Sequence, residues 1–190
     1  MSWGAESSDE ALMLGYRDGD AGAFDVLYAR HKGGIYRYLL RQCRDAAVAE
    51  ELFQDVWMNL IRARAGYTVQ AKFTTYLYRL AHNRLIDHYR KSAHAAVTSF
   101  EDEDSETLEA LPDGRELPQD EALDSRRQAG RLLELIAELP EVQREAFVLQ
   151  QEGGMSIEQI AHATGVTRET AKSRLRYAMA KLRRGMREWR

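Results

Sequence analysis

The sequence predicts an all-α protein, two small helical domains joined by a flexible acidic linker. Three observations carry that reading. Helix formers (Ala, Leu, Glu, Arg, Gln) dominate while Val and Ile runs are scarce. Only three Pro occur, and two of them, Pro112 and Pro118, fall close together. Charge is also segregated: residues 1–100 carry a net +2, residues 101–125 a net −10 and residues 126–190 a net +5, in a chain of net −3. The middle block, EDEDSETLEALPDGRELPQDEALDS, is poor in aromatics and cannot bury enough apolar surface to offset its ordering entropy. It reads as a solubilising tether, which gives domains over 8–92 and 126–190 with a linker over 93–125.

In the first domain, Asp20 can cap a helix through AGAFDVLYARH, with Phe24, Leu27 and Tyr28 on one face. Gly33-Gly34 is expected to kink or interrupt it before IYRYLLRQC resumes. Asp45 then caps AAVAEELFQDVWMNLIRAR, where Ala49, Leu52, Phe53, Val56 and Leu60 follow helical spacing toward a core. Glu50, Glu51, Gln54, Asp55 and Met58 take the opposite face, which the pattern alone reads as solvated.

Residues 62–91, RARAGYTVQAKFTTYLYRLAHNRLIDHYRK, hold seven Lys or Arg against one acid, with aromatics interleaved. Basic groups neutralise phosphates, and aromatic faces stack on unpaired bases at roughly 1–3 kcal/mol each. Phe73, Leu77, Leu80 and Ile86 belong to a core. Tyr76, Arg79, Asn83 and Arg90 form a second stripe, where Arg and Asn would be costly to bury without partners.

The second domain reads as four helices. Leu132, Leu133, Leu135, Ile136 and Leu139 give the first its apolar face, and Pro140 ends it. EVQREAFVLQQ stops at Gly153-Gly154, Ser156 and Gln159 make a capping box for SIEQIAHAT, and Thr167 caps the last helix after a turn at Gly165. A short helix, a Gly turn and a longer helix is the helix-turn-helix layout. Its second helix shows Arg168, Glu169, Lys172, Ser173, Arg176 and Tyr177, long donors suited to phosphates and guanine edges.

Other classes fit poorly. The lone Cys43 forms no internal disulfide framework and suits a reducing cytoplasm. His82, His88 and His94 are not spaced as metal ligands, no Gly-rich phosphate loop or nucleophile constellation occurs, and neither enzyme nor cofactor is expected. The first residues, MSWGAESSDEALM, lack the pattern of a secretory signal, and no apolar run approaches the roughly 20 residues of a membrane span. A membrane-surface helix needs a broad apolar face, whereas Leu175, Met179, Leu182 and Met186 make a narrow stripe. A regulator pairing a sensor with a helix-turn-helix would have no need of the basic, aromatic block at 62–91.

Taken in order, AFDVLYARHKGGIYRYLLR, AEELFQDVWMNLIRAR, FTTYLYRLAHNRLIDHYR, LPEVQREAFVLQ and SIEQIAHATGVTRETAKSRLRYAMAKLR resemble bacterial sigma factors of the extracytoplasmic-function (ECF) group of the sigma-70 family. The resemblance covers about 20–91 and 127–186. It implies a cytoplasmic promoter-specificity factor whose partners are core RNA polymerase (β′ clamp helices and β flap), promoter DNA and an anti-sigma factor. It turns Glu51, Gln54, Asp55 and Met58 from a solvated face into the clamp-docking surface. It implies −10 recognition and melting by Tyr67, Lys72, Tyr76, Arg79, His82, Asn83 and Arg90, with Tyr76 standing where Trp is common and His82 where Arg is frequent. It implies −35 recognition by Thr167, Arg168, Lys172, Ser173, Arg176 and Tyr177. The acidic strap would thread the polymerase interior along the path of nascent RNA.

Overall fold

The helices begin where the sequence supplies acceptors for their orphan amides. In the computed structural model, which describes residues 3–4, 6–96 and 119–189, Ser8 Oγ accepts from Ala11 N at 3.2 Å and opens α1 (Asp9–Arg17). This helix is an element beyond those read from the sequence. Asp20 caps α2 (Ala21–Cys43), 3.0 Å from Gly22 N, and its other oxygen accepts from Trp3 Nε1 at 2.8 Å. Asp45 caps α3 (Ala46–Ala63), 3.0 Å from Val48 N. A 3-10 turn, Arg64–Gly66, leads into a loop over 67–72 and then α4 (Phe73–Ala96).

Both flanking helices reach into the span expected to be linker: α4 ends at Ala96 and α5 (Gln119–Ala137) starts well before residue 126. The remainder of that acidic segment, and with it the threading expectation, lies outside the described residues. α6 (Glu141–Gly153) follows Pro140 and stops at Gly154, which takes the left-handed φ of 59°. Both bonds of the Ser156–Gln159 capping box form, at 3.3 and 2.8 Å, to open α7 (Ile157–Thr164). Gly165, at φ 69°, turns the chain. Thr167 Oγ1 then accepts from Thr170 N at 3.2 Å to start α8 (Arg168–Glu188). Among the described residues there is no strand.

Helices α1–α4 enclose one part of the core, with Leu12, Met13, Leu27, Ile35, Leu39, Val56, Leu60, Phe73 and Leu77 inaccessible to solvent. Helices α5–α8 enclose the other around Ile136, Val148, Leu149, Ile160, Ala171 and Ala178. Ala161 is buried where α7 meets α8, so a larger side chain there would force the two helices apart.

The halves also pack on each other, α2 against α6 and α4 against α7. At this seam Tyr38 Oη donates to Glu145 Oε1 at 2.7 Å, and His82 Nδ1 donates to the same oxygen at 2.6 Å. An ionised carboxylate only accepts, so His82 must carry its proton on Nδ1. Burial, and then the adjacent Glu145, push the Tyr38 hydroxyl pKa well above its ordinary range, which keeps it a donor. Arg37 and Arg41 reach Glu152 at 2.8 and 2.5 Å. The buried Arg144 donates to Ala137 O at the end of α5 and to Leu139 O just past it, each at 3.2 Å, and across the seam to Gln42 O at 3.3 Å. Tyr89 Oη donates to that same Gln42 carbonyl at 3.0 Å.

The expected break at Gly33-Gly34 does not occur, since α2 runs unbroken through both residues. Each glycine costs a helix about 1 kcal/mol relative to Ala. Burial of Ile35, Tyr38 and Leu39 outweighs that. The reason for Gly34 is steric, because a Cβ there would sit 2.7 Å from Tyr78 Oη and 3.5 Å from Glu152 O, where three helices converge. A Cβ on Gly33 would meet only the movable side chain of Arg37. Gly34→Val should therefore destabilise the fold by about 1–3 kcal/mol. Gly33→Ala should be neutral or stabilising by up to about 1 kcal/mol. Urea denaturation of the two variants checks the contrast.

Candidate nucleic-acid and polymerase interfaces

α3 turns Ala49, Leu52, Val56 and Leu60 inward, leaving Glu51, Gln54 and Met58 to solvent. Met58 is 44% exposed, one of the few large apolar side chains so presented among the described residues. Asp55 differs from its neighbours. Arg84 of α4 donates to its carboxylate, while the same guanidinium approaches Asp87 at 3.7 Å. The outward face thus consists of Glu51, Gln54 and Met58, with Asp55 engaged at its edge.

The basic, aromatic block folds into the turn, loop and helix that follow α3. Lys72, Arg79, Asn83 and Arg90 are exposed along it. Tyr67, expected among the nucleic-acid contacts, is instead 5% exposed. Its ring lies 5.3 Å from that of Tyr76 and 6.5 Å from that of Phe73, so it forms a wall rather than a presented face. Burial pushes the Tyr67 hydroxyl pKa up to about 12. Tyr76 is half-buried, and burial raises its hydroxyl pKa as well. Tyr67, Thr68, Gln70, Tyr76 and Arg79 line a cleft of about 370 Å³. His162 of α7 closes one side, 3.4 Å from Arg79 Nη1. His82 is half-buried and occupied by Glu145, so in this form it faces protein.

On α8, Lys172, Arg176 and Tyr177 are exposed, Tyr177 at 52%, and Ser173 is half-buried beside them. The Arg176 guanidinium lies 5.0 Å from the Tyr177 ring centre, a cation–π pair on an open surface. Thr167 Oγ1 is engaged as the cap and lies 2.9 Å from Thr170 Oγ1. Arg168 pairs with Glu158 at 2.6 Å and Glu169 at 3.2 Å. The hydrogen bond from Arg168 is the main reason the Glu158 carboxyl is held down at about 2. Lys172, Arg176 and Tyr177 therefore present side chains without an ion-pair partner among the described residues on this exposed face, while Thr167 and Arg168, also exposed, are engaged by the cap and by Glu158 of α7.

The structure adds residues the sequence reading passed over: Glu145 and Glu152 at the seam, and Glu10, which reaches α4 from α1. The visible signal for the first was REAFVL, where Arg144 and Glu145 lead directly into an apolar run at positions that α6 buries. Among the described residues no cluster of His, Cys, Asp or Glu could hold a metal. No helix there is long and apolar enough to cross a membrane.

These surfaces coincide with two known sequence families. The model described as Sigma-70 region 2 matches residues 27–95, and that described as Sigma-70, region 4 matches residues 129–182. RNA polymerase sigma factor CarQ of Myxococcus xanthus is 31% identical over 168 residues, 88% of this chain and 91% of CarQ. The ECF RNA polymerase sigma factor SigK of Mycolicibacterium vanbaalenii is 30% identical, over 92% of this chain and 87% of SigK. The fold is shared with sigma factor RpoE, solved with the anti-sigma factor NepR from Bartonella quintana. That likeness has a TM-score of 0.72 at 18% identity, over 86% of this chain and 96% of that one. It is shared too with CnrH, solved with the cytosolic domain of CnrY, with a TM-score of 0.65 at 21% identity over 93% of this chain and 95% of CnrH. The chain belongs to the sigma-70 family of RNA polymerase sigma factors, as an alternative sigma factor of the extracytoplasmic-function group.

Proposed function

We propose that this sigma factor docks on the β′ clamp of core RNA polymerase through Glu51, Gln54 and Met58, reads −35 DNA with α8, and opens −10 DNA with the loop over 67–72 and α4. The observation that supports this division best is a pair of distinct surfaces, the first built mainly by the region 2 match with His162 at its side, the second wholly within the region 4 match. The first is an aromatic-walled cleft rimmed by Arg79, and the second an open Lys172–Arg176–Tyr177 face on a helix-turn-helix. Breaking −10 base pairs costs a few kcal/mol, which stacking of an extruded base in the cleft offsets. Tyr76 supplies the stacking face, Arg79, Lys72 and Arg90 meet phosphate, and Asn83 contacts a base edge. Ser173 supports the −35 contacts. The role read for Tyr67 becomes indirect, since its ring is packed into the wall of the cleft, while the exposed Thr167 and Arg168 keep their place beside the α8 contacts.

In the closed arrangement α6 and α7 cover His82 and approach Arg79, so the halves part when promoter DNA is engaged. An anti-sigma factor is the class of protein that would hold the chain inactive, as the complex of RpoE with the anti-sigma factor NepR suggests. Nucleotide chemistry stays with polymerase, and the site of action is the cytoplasm, where polymerase meets the chromosome.

The double variant Lys172→Ala/Arg176→Ala should lower initiation about 10- to 100-fold on a promoter with its native −35 element. It should have little further effect where that element is scrambled, and equal losses on both templates would sink the −35 assignment. For the clamp surface, Glu51→Arg should weaken core polymerase binding about tenfold while the melting temperature stays put, because Glu51 is exposed. Asp55→Arg should lower both quantities, since it sets a second cation against Arg84. Binding titrations alongside thermal melts separate the two variants.

A further inference from the structure

α4 carries the residues assigned to the −10 element, yet its own sequence gives it no cap. The residue before Phe73 is Lys72, whose side chain has no acceptor to offer the orphan amides of the first turn. The acceptor comes from α1. Glu10 Oε1 takes the Phe73 N–H at 2.7 Å, and its negative charge lies at the positive end of the α4 dipole.

The other end of the 67–72 loop is held from the same helix. Arg17 Nη1 donates to Tyr67 O at 3.3 Å. Glu10 and Arg17 are seven residues apart, two helical turns, and so share one face of α1 with about 10 Å of axial rise between them. α1 is itself firmly seated. Asp9 pairs with Arg30 at 2.8 Å and lies 2.7 Å from His31 Nε2, and Leu12 and Met13 are wholly buried. Arg64, at the entry to the loop, donates to Tyr16 Oη at 3.2 Å and covers the Tyr16 ring at 5.2 Å. The region 2 match begins only at residue 27, after α1.

We infer that α1 is the positioning element of the promoter-opening loop, with Glu10 and Arg17 as positioning residues that fix its two ends. The inference rests on the reading that this loop and α4 open −10 DNA. A rigid helix spanning both ends fixes where Tyr76 and Arg79 stand relative to the loop before DNA arrives. That lowers the ordering cost of holding an opened strand.

The test uses holoenzyme reconstituted with Glu10→Ala, Glu10→Gln and Arg17→Ala. Permanganate reactivity of −10 thymines is measured on a duplex promoter and on one with a pre-opened bubble, alongside core polymerase affinity. The Ala variants should open the duplex promoter about tenfold less, keep core affinity within about twofold, and recover to within about twofold on the bubble. Glu10→Gln retains an acceptor oxygen and should restore most of the opening. Wild-type opening by Glu10→Ala would overturn the inference, and so would a loss that the bubble does not repair. Tyr76→Ala and Asn83→Ala are run in parallel. If they open the promoter normally, the assignment of α4 to the −10 element falls. If they are impaired while the α1 variants are not, only the inference about α1 falls.

Discussion

Glu145 sits 7% exposed at the seam, and both hydrogen bonds it accepts come from the other half of the molecule. Hydrogen bonds to a charged group in such a setting contribute about 1.5–3 kcal/mol each, and deleting the acceptor leaves the buried Tyr38 hydroxyl unsatisfied. The neighbouring Arg37–Glu152 contact is weaker support. Arg37 is 55% exposed, and exposed pairs contribute about 0–1 kcal/mol. Glu145 therefore ties α2 and α4 to α6, and the side-by-side placement of the α4 cleft and the α8 face depends on that contact. It also accounts for His82. The imidazole of His82 hydrogen-bonds a carboxylate of the chain's own other half.

The seam is polar as well as apolar, which distinguishes it from the cores on either side. Tyr38, Gln42, Glu145 and Arg144 are all buried there, and nearly every one has a partner on a different helix. Such a contact is specific while closed, and its groups can be taken up by water or by another macromolecule when it opens. An initiation factor that must hold two DNA elements far apart needs this kind of joint more than a seamless core.

Local chemistry made much of the fold legible. Asp20, Asp45, Ser156 with Gln159, and Thr167 cap the helices they were expected to cap, because a cap and its amides lie within three residues of each other. Gly154 and Gly165 hold left-handed φ for an equally local reason. What could not be read depended on partners remote in sequence. Gly34 looked like a helix breaker because Tyr78 and Glu152, which need its missing Cβ, are far along the chain. Glu145 meets Tyr38 across 107 positions, and Glu10 meets Phe73 across 63. For the candidate site, the exposed face of α8 followed directly from helical periodicity. The inward turn of Tyr67 and the engagement of Asp55 by Arg84 did not, since both are set by helix packing.

The two guanidiniums gathered on Glu152 have an electrostatic consequence. While Arg37 and Arg41 face that carboxylate, one of their two charges is compensated within the protein, and the pair displaces fewer counterions from a passing duplex than two unpaired cations would. Parting the halves returns both cations to solvent on the same side of α2. DNA releases about 0.9 counterion equivalents for each phosphate a protein neutralises, so an open form would carry a steeper salt dependence toward DNA than the closed one. Ionic strength thus acts on the two forms unequally, the α8 face contributing in both and the α2 cations adding to it only when the halves are apart.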